Sequence, residues 1–125
     1  MAKILIVDDE ADSRDSLAIL FRDGGHTVES APNGREALAL VLTDVPDVIL
    51  LDLVMPEMDG PSFLEVVRSY LRIQSLPVVI LTALSDSPMI ERARALSVNS
   101  ILIKGRASPE DVLKEVEAAL IRHPG

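Results

Sequence analysis

The sequence predicts an α/β domain with a doubly wound, five-stranded parallel sheet and helices on both of its faces. Short aliphatic runs recur roughly every 20 to 25 residues, and stretches with helical apolar spacing separate them. Gly, Pro, Asn and Asp residues mark short turns between these segments. Strict alternation of this kind is typical of a parallel sheet that is covered on both sides. Such a sheet must reverse its strand order, and the commonest five-stranded solution is 2-1-3-4-5.

Five aliphatic runs supply the strands. The central run, Val48–Leu51, has no polar face, so we expect it to be buried on both sides. Pro56 cannot continue a strand ladder, and Asp59-Gly60 favours a tight turn after it. The predicted strands are Lys3–Val7, His26–Ser30, Val48–Leu51, Pro77–Leu81 and Ser100–Ile103.

Helices are predicted after each strand from capping residues and apolar spacing. Asn33, Ser87 and Ser108 are predicted N-caps, and Gly24-Gly25 is a stop signal for the first helix. The apolar residues predicted to face the core from the first three helices are Leu17, Leu20, Phe21, Ala37, Leu38, Val41, Leu42, Phe63, Leu64, Val66, Val67 and Leu71.

The composition excludes several classes of function. The net charge is −8 and the 12 Lys and Arg residues form no patch, which argues against direct nucleic-acid binding. No apolar run approaches the length of a membrane span, and the early acidic residues do not fit a signal peptide. Cys is absent, so we expect no disulfides and a cytoplasmic location. At 125 residues, we expect one domain over residues 1–125 with no output domain attached.

Polar side chains follow four of the five predicted strands. Asp8 and Asp9 follow the first strand and Asp52 the third, while Thr82 and Lys104 follow the fourth and fifth. The carboxyl ends of parallel strands meet at one edge of the sheet, where ligands bind at the switch point between strands 1 and 3. Three carboxylates this close repel one another unless a cation lies among them. Oxygen ligands at a partly open site suit Mg²⁺.

This set of side chains suits phosphoryl transfer. A cation among the acids would let Asp52, on the central strand, attack phosphorus, while Thr82 and Lys104 hold phosphoryl oxygens. Each residue alone also has a structural interpretation. Asp52 could cap a turn, and Asp8 or Asp9 could cap the first helix. Thr82 could be an ordinary strand-end hydroxyl, and Lys104 could be a solvated charge. Their joint position at neighbouring strand ends favours the chemical interpretation.

The sequence resembles a response-regulator receiver domain, the phosphoacceptor half of bacterial two-component signalling. The resemblance covers essentially the whole chain, and the flavodoxin-like fold of that family agrees with the prediction above. It is carried by Ile4-Leu5-Ile6-Val7-Asp8-Asp9-Glu10, Asp52-Leu53-Val54-Met55-Pro56-Glu57-Met58-Asp59-Gly60, Leu81-Thr82-Ala83 and Lys104.

The resemblance implies that Asp52 accepts a phosphoryl group from a phosphohistidine on a sensor histidine kinase or a phosphotransfer protein. It implies Mg²⁺ bound directly by Asp9 and Asp52, with Asp8 acting through water and the Val54 backbone carbonyl as a further ligand. Thr82 and Lys104 would hold the phosphoryl group. Self-dephosphorylation would make the protein a switch and not a turnover enzyme. We expect a monomer or weak dimer that acts on an unknown downstream protein.

Two positions depart from the family pattern. Ile101 stands where the family usually has an aromatic residue, and Gly105 where it usually has a proline. We therefore hypothesise that phosphoryl chemistry is retained while the usual route to the face of helix 4, strand 5 and helix 5 is altered. Gly105 should loosen the loop that follows Lys104. His26 and His123 are not expected to be ligands or phosphoacceptors.

Three alternative functions differ in what they need from the sequence. A pseudo-receiver that binds partners without phosphorylation is consistent with Ile101 and Gly105, but not with the intact acids. An aspartate-nucleophile phosphatase needs a second acid two residues after the nucleophile, where Val54 stands. A flavin carrier is disfavoured because Asp8 and Asp9 would repel a bound phosphate.

Overall fold

The structure is a computed structural model and describes residues 1–122, so His123 lies outside the described residues. It contains five strands and five helices in strict alternation. The strands are β1 (Lys3–Val7), β2 (Thr27–Ala31), β3 (Val48–Leu51), β4 (Val78–Thr82) and β5 (Ser100–Ile103). The helices are α1 (Ala11–Asp23), α2 (Gly34–Thr43), α3 (Gly60–Ser69), α4 (Pro88–Ala95) and α5 (Pro109–Arg122).

All strands are parallel, and their order is β2-β1-β3-β4-β5. The predicted fold class and strand order are therefore confirmed. Strands β1 and β3 are hydrogen-bonded neighbours, with Val7 opposite Leu51 at their carboxyl ends. Because the chain reverses its winding direction between these two strands, a crevice opens at this edge of the sheet.

The central strand is buried on both faces, as its sequence predicted. Ile49 and Leu51 pack into the cluster under α2, α3 and α4, which includes Phe63. Val48 and Leu50 pack into the opposite cluster under α1 and α5. Successive side chains point to opposite faces of a strand, so four consecutive aliphatic residues join the two cores.

No helix among residues 1–122 is long and apolar enough to cross a membrane.

Local capping explains where several helices begin. The Asn33 side chain accepts a hydrogen bond from the Glu36 amide at 2.9 Å, and Ser87 accepts one from the Met89 amide at 3.1 Å. Ser108 accepts one from the Asp111 amide at 3.1 Å. All three predicted caps are confirmed.

Two predictions about the core were wrong. Leu71 was expected on the apolar face of α3, but its side chain is 85% exposed. The helix ends at Ser69, and Tyr70, in an extended conformation, is its C-cap. Because Leu71 lies beyond the helix, helical spacing no longer determines which way its side chain points. Leu42, also predicted to face the core, is 43% exposed near the end of α2.

Candidate functional site

The strand ladder fixes the positions of two buried carboxylates. The Asp52 amide donates to the Val7 carbonyl at 2.9 Å, and the Asp8 amide donates to the Ala31 carbonyl at 3.1 Å. Asp52 is 6% exposed and Asp8 is 2% exposed, although both are acids. Buried acids are costly unless they are paired or hydrogen-bonded, so this edge of the sheet is a specialised environment.

Three acids converge at the crevice between β1 and β3. Asp8, Asp9 and Asp52 each offer a carboxylate oxygen, and these oxygens lie within 4.8 Å of one another. Asp9 is exposed, which leaves the group open to solvent on one side. Hard divalent cations prefer such oxygen-only, partly open sites. The residues present therefore fit Mg²⁺.

Lys104 lies against the same acids. Its Nζ atom is 2.8 Å from Asp8 Oδ2, 3.2 Å from Asp52 Oδ2 and 2.9 Å from Glu10 Oε1. Burial alone would lower the pKa of Lys104, but its bonds to Asp8 and Glu10 and the charge of Asp52 outweigh burial and raise it. The ammonium group thus stays charged and partly offsets the repulsion among the acids.

Asp52 has a different electrostatic environment. Burial raises the pKa of its carboxyl above the ordinary value, and the charge of Asp8 raises it further, while Lys104 opposes both effects. The Val54 amide also donates weakly to Asp52 Oδ1, at 3.4 Å. The ionised form is therefore destabilised by desolvation, and a nearby cation would favour it.

Asp8 has a structural task as well as its contact with Lys104. Its Oδ1 atom accepts from the Glu10 amide at 2.9 Å and its Oδ2 atom from the Ser13 hydroxyl at 3.0 Å. Arg14 donates to the Asp8 carbonyl at 2.7 Å. The turn into α1 thus depends partly on Asp8, although Glu10 and not Asp8 occupies the N-cap position of the helix.

Thr82 and Val54 lie beside the acids. Thr82 is fully buried, and its hydroxyl oxygen accepts from the Leu84 amide at 3.3 Å. The Lys104 amide donates to the Thr82 carbonyl at 2.8 Å, which fixes the start of the loop after β5. Val54 is 49% exposed at the mouth of the crevice. Thus the carboxylates of Asp8, Asp9 and Asp52 are grouped together and Lys104 contacts Asp8 and Asp52, while the Thr82 hydroxyl has a separate partner.

The two departures from the family pattern differ in their surroundings. Ile101 is partly buried and packs against the core cluster under α4. Gly105 has φ +87°, a conformation that side chains disfavour, and nothing lies within 4 Å of the position a Cβ would take. All peptide bonds among the described residues are trans.

Sequence reasoning missed Glu10. It is the third acid of the run Asp8-Asp9-Glu10 and occupies the N-cap position of α1 without a side-chain capping bond. Instead its carboxylate binds Lys104, which is 94 positions away in the chain. Its place next to two site acids was the available signal, although an exposed acid before a helix is usually only a favourable charge for the helix dipole.

The fold and the site define a class of protein: a doubly wound α/β domain with an acidic, lysine-bearing site at the carboxyl edge of its sheet. A sequence profile described as "Response regulator receiver domain" matches residues 4–117. The chain belongs to this family and is a receiver domain of two-component signalling.

Individual proteins are similar to this chain along nearly its whole length. A protein of Leptolyngbya boryana described as "Uncharacterized 14.6 kDa protein in sodA1 3'region" is 34% identical over 97% of this chain and 92% of its own length. The "Transcriptional regulatory protein PdtaR" of Mycobacterium tuberculosis is 34% identical over 96% of this chain. The chain spans only 57% of PdtaR and 46% of a probable transcriptional regulator of Guillardia theta.

Solved structures share the fold. The chemotaxis response regulator CheY4 of Vibrio cholerae has a TM-score of 0.87 and 34% identity, over 95% of this chain and 98% of CheY4. A putative response regulator from Chloroflexus aurantiacus has a TM-score of 0.89 and 29% identity, over 97% of this chain and 98% of its own. Both are similar to this chain along nearly its whole length.

Proposed function

We propose that this receiver domain accepts a phosphoryl group on Asp52. The observation that carries the proposal is the buried Asp52 carboxylate, 3.2 Å from Lys104 and grouped with Asp8 and Asp9. An Asp52 oxygen would attack the phosphorus of a phosphohistidine on a sensor histidine kinase or phosphotransfer protein. A P–O bond forms, the P–N bond breaks, and its electron pair leaves with the imidazole.

The acid cluster supports a requirement for Mg²⁺. Asp9 and Asp52 would bind the ion directly, Asp8 would act through water, and the Val54 carbonyl would supply a further oxygen. When bound, Mg²⁺ offsets the repulsion between the carboxylates and the phosphoryl oxygens. The chain's own part is to hold these oxygens together at the crevice, while Lys104 opposes the effect of burial on the pKa of Asp52.

Lys104 and Thr82 would hold the transferred group. Lys104 already contacts Asp52 and Asp8, so a phosphoryl oxygen on Asp52 would enter its range. The Thr82 hydroxyl oxygen accepts from the Leu84 amide, which leaves its proton free to donate to another phosphoryl oxygen. Together they would stabilise the charge that develops on the phosphoryl group.

The same site would reset the domain. Water attacks the phosphorus of the acyl phosphate, the P–O bond to Asp52 breaks, and the carboxylate and inorganic phosphate are released. The resemblance to receiver domains suggests that the apolar side chains of Val54 and Leu84, two residues after Asp52 and Thr82, would flank the approach of water and slow this step. The domain would therefore act as a switch and not as a turnover enzyme.

The output of the switch would be altered partner binding. We propose that the cytoplasmic domain, a monomer or weak dimer, presents a changed surface to a downstream protein after phosphorylation. Because Ile101 packs into the core under α4 without the bulk of an aromatic ring, phosphorylation would transmit its signal to the α4, β5 and α5 face differently from most receivers.

Direct phosphorylation tests the proposal. The protein is incubated with Mg²⁺ and acetyl phosphate, and its intact mass is measured after acid and base treatment. We expect one acid-stable, base-labile phosphate that is absent from Asp52→Asn. Asp59→Asn is the matched control, because Asp59 caps α3 through the Ser62 amide and an asparagine oxygen can do the same.

Two results would contradict the proposal. An adduct that persists in Asp52→Asn would place the phosphate elsewhere. No adduct at all would favour a pseudo-receiver that binds its partner without phosphorylation.

A further inference from the structure

The loop after Asp52 contains a strained turn. The Met58 amide donates to the Pro56 carbonyl at 2.7 Å, and the residue between them, Glu57, has φ +65°. A γ-turn is three residues long and has a hydrogen bond between the first and the third. The form in which the central residue has a positive φ is the rarer, strained one. A residue with a side chain adopts this conformation only where its surroundings hold it. The contacts of Glu57 should therefore include those that hold the turn in this conformation.

The start of α2 holds this turn through Asn33. Asn33 is 4% exposed, and its Nδ2 atom donates to Glu57 Oε2 at 3.1 Å and to Glu36 Oε2 at 3.2 Å. Its Oδ1 atom accepts from the Glu36 amide and caps the helix. One buried amide side chain thus satisfies the helix terminus and holds the carboxylate of the strained residue.

The backbones of the two segments also touch. The Gly34 amide donates to the Met58 carbonyl at 3.2 Å, and a Cβ atom on Gly34 would lie 2.8 Å from that carbonyl oxygen. The loop is closed at its base by the Gly60 amide, which donates to the Leu53 carbonyl at 2.9 Å. The segment between these two attachments carries Val54.

We propose that Asn33 and Glu57 are positioning residues that hold the loop after Asp52 in the conformation needed for Mg²⁺ binding through the Val54 carbonyl. The inference rests on the proposed function, because it requires the metal site. Neither residue contacts the acids of the site. They act through the backbone of the loop, as outer residues often orient metal ligands.

Matched variants separate this role from helix capping. Asn33→Ser keeps an oxygen that can cap α2 but removes the amide donor to Glu57. Glu57→Ala removes the acceptor, whereas Glu57→Gln keeps one. Arg35→Ala removes the other partner of Glu57, with which Glu57 forms an exposed ion pair at 3.6 Å, and is the control for loss of that pair.

Two measurements on the intact protein test the proposal: Mg²⁺ affinity by titration calorimetry, and hydrogen exchange of the Met58 amide without Mg²⁺. We expect Asn33→Ser and Glu57→Ala each to weaken Mg²⁺ binding about tenfold and to speed Met58 exchange. Glu57→Gln and Arg35→Ala should match the wild type. The double variant Asn33→Ser/Glu57→Ala should lose no more Mg²⁺ affinity than either single variant, because both substitutions remove the same Asn33–Glu57 hydrogen bond.

The failures are distinguishable. A wild-type protein that binds no Mg²⁺ would overturn the metal site of the proposed function and this inference with it. Wild-type binding that Asn33→Ser and Glu57→Ala leave unchanged would overturn the positioning role alone. Equal losses in Glu57→Ala and Arg35→Ala would also overturn it, since loss of the exposed Arg35–Glu57 ion pair would then account for both.

Discussion

At the scale of single residues, the burial of Asp52 decides the character of the site. Its carboxyl is 6% exposed, and desolvation raises its pKa although Lys104 lies 3.2 Å away. A group whose folded-state pKa is raised binds its proton more tightly in the folded state. Its contribution to stability is therefore complete below the ordinary carboxyl pKa and is lost as the pH rises through the raised value.

The raised pKa of Asp52 predicts how Asp52→Asn changes the thermal stability of the protein. Without Mg²⁺ at neutral pH, the variant should have a higher Tm than the wild type, because it has no buried charge to desolvate. The difference should shrink as the pH falls below the pKa of Asp52, where the wild-type carboxyl is neutral. Thermal unfolding monitored by circular dichroism at several pH values measures it. A wild type that is more stable at neutral pH would mean that pairing with Lys104 outweighs burial.

A close backbone approach makes Gly60 a second sensitive residue. A Cβ atom there would lie 2.7 Å from the Asp52 carbonyl oxygen and 2.7 Å from Leu53 Cα, both backbone atoms that cannot easily move. We expect Gly60→Ala to lower the free energy of unfolding by about 1–3 kcal/mol through overpacking. Urea unfolding measures the change.

Gly24→Ala is the control for Gly60→Ala. Its Cβ would meet the Phe21 carbonyl oxygen at 3.4 Å and His26 at 3.5 Å, which are ordinary contacts. Its φ is −79°, which any residue adopts. Equal losses of stability in the two variants would show that the close approach at Gly60 is not the cause.

At the scale of elements, Arg68 ties α3 to the end of α4 and to the segment before β4. Its guanidinium donates to the carbonyls of Leu96 at 2.8 Å, Leu76 at 2.7 Å and Ser97 at 3.2 Å. Burial lowers the pKa of Arg68. Ser97 has φ +61°, so the chain leaves α4 in a left-handed conformation at the point that Arg68 holds. A positive charge there also suits the negative end of the helix dipole.

Replacing Arg68 should therefore destabilise the arrangement of α3 and α4. We expect Arg68→Met to lower the free energy of unfolding by about 2–3 kcal/mol, because three carbonyls lose a charged donor. Arg92→Met is the control, since it removes only the exposed pair between Arg92 and Glu65, worth about 0.2–1 kcal/mol. Equal losses for Arg68→Met and Arg92→Met in urea unfolding would show that water replaces Arg68 as the hydrogen-bond donor to the three carbonyls.

At the scale of the whole molecule, Mg²⁺ binding should be linked to folding. The three acids meet only in the folded chain, so a ligand that binds them stabilises the native state. At a Mg²⁺ concentration ten times the Kd we expect about 1.4 kcal/mol of stabilisation. Thermal unfolding over a Mg²⁺ series measures this.

Asp9→Asn provides the matched comparison. Asp9 is exposed, so the substitution should leave metal-free stability nearly unchanged while it removes most of the response to Mg²⁺. An unchanged response in Asp9→Asn would exclude Asp9 as a ligand. A change of metal-free stability as large as the lost response would mean that Asp9 acts mainly in the fold.

The sequence predicted the fold well because the governing signals are local. The four aliphatic residues Val48–Leu51, bounded by turn residues, are typical of a strand covered on both faces. Caps such as Asn33 and Ser87 mark helix starts through bonds to nearby amides. Local signals weaken beyond helix ends. Leu71 was misplaced because α3 ends at Ser69, and apolar spacing alone does not register that end.

The contacts of the site were less predictable. Asp8, Asp52 and Lys104 were placed together because parallel strand ends share an edge. The bond from Glu10 to Lys104 and that from Asn33 to Glu57 depend on side-chain positions across 94 and 24 residues of chain. No periodicity reports such distances.

The sequence by itself thus determined the strands and which polar residues end them, because alternation and strand-end chemistry are carried by adjacent residues. The strand order followed from the commonest arrangement of such sheets, and the structure confirms it. Only the tertiary structure decided that Asp52 is buried beside Lys104 and that Glu57, with its positive φ, is bonded to Asn33. These features depend on how separate elements pack. Desolvation and charge pairing arise only when that packing brings distant groups together.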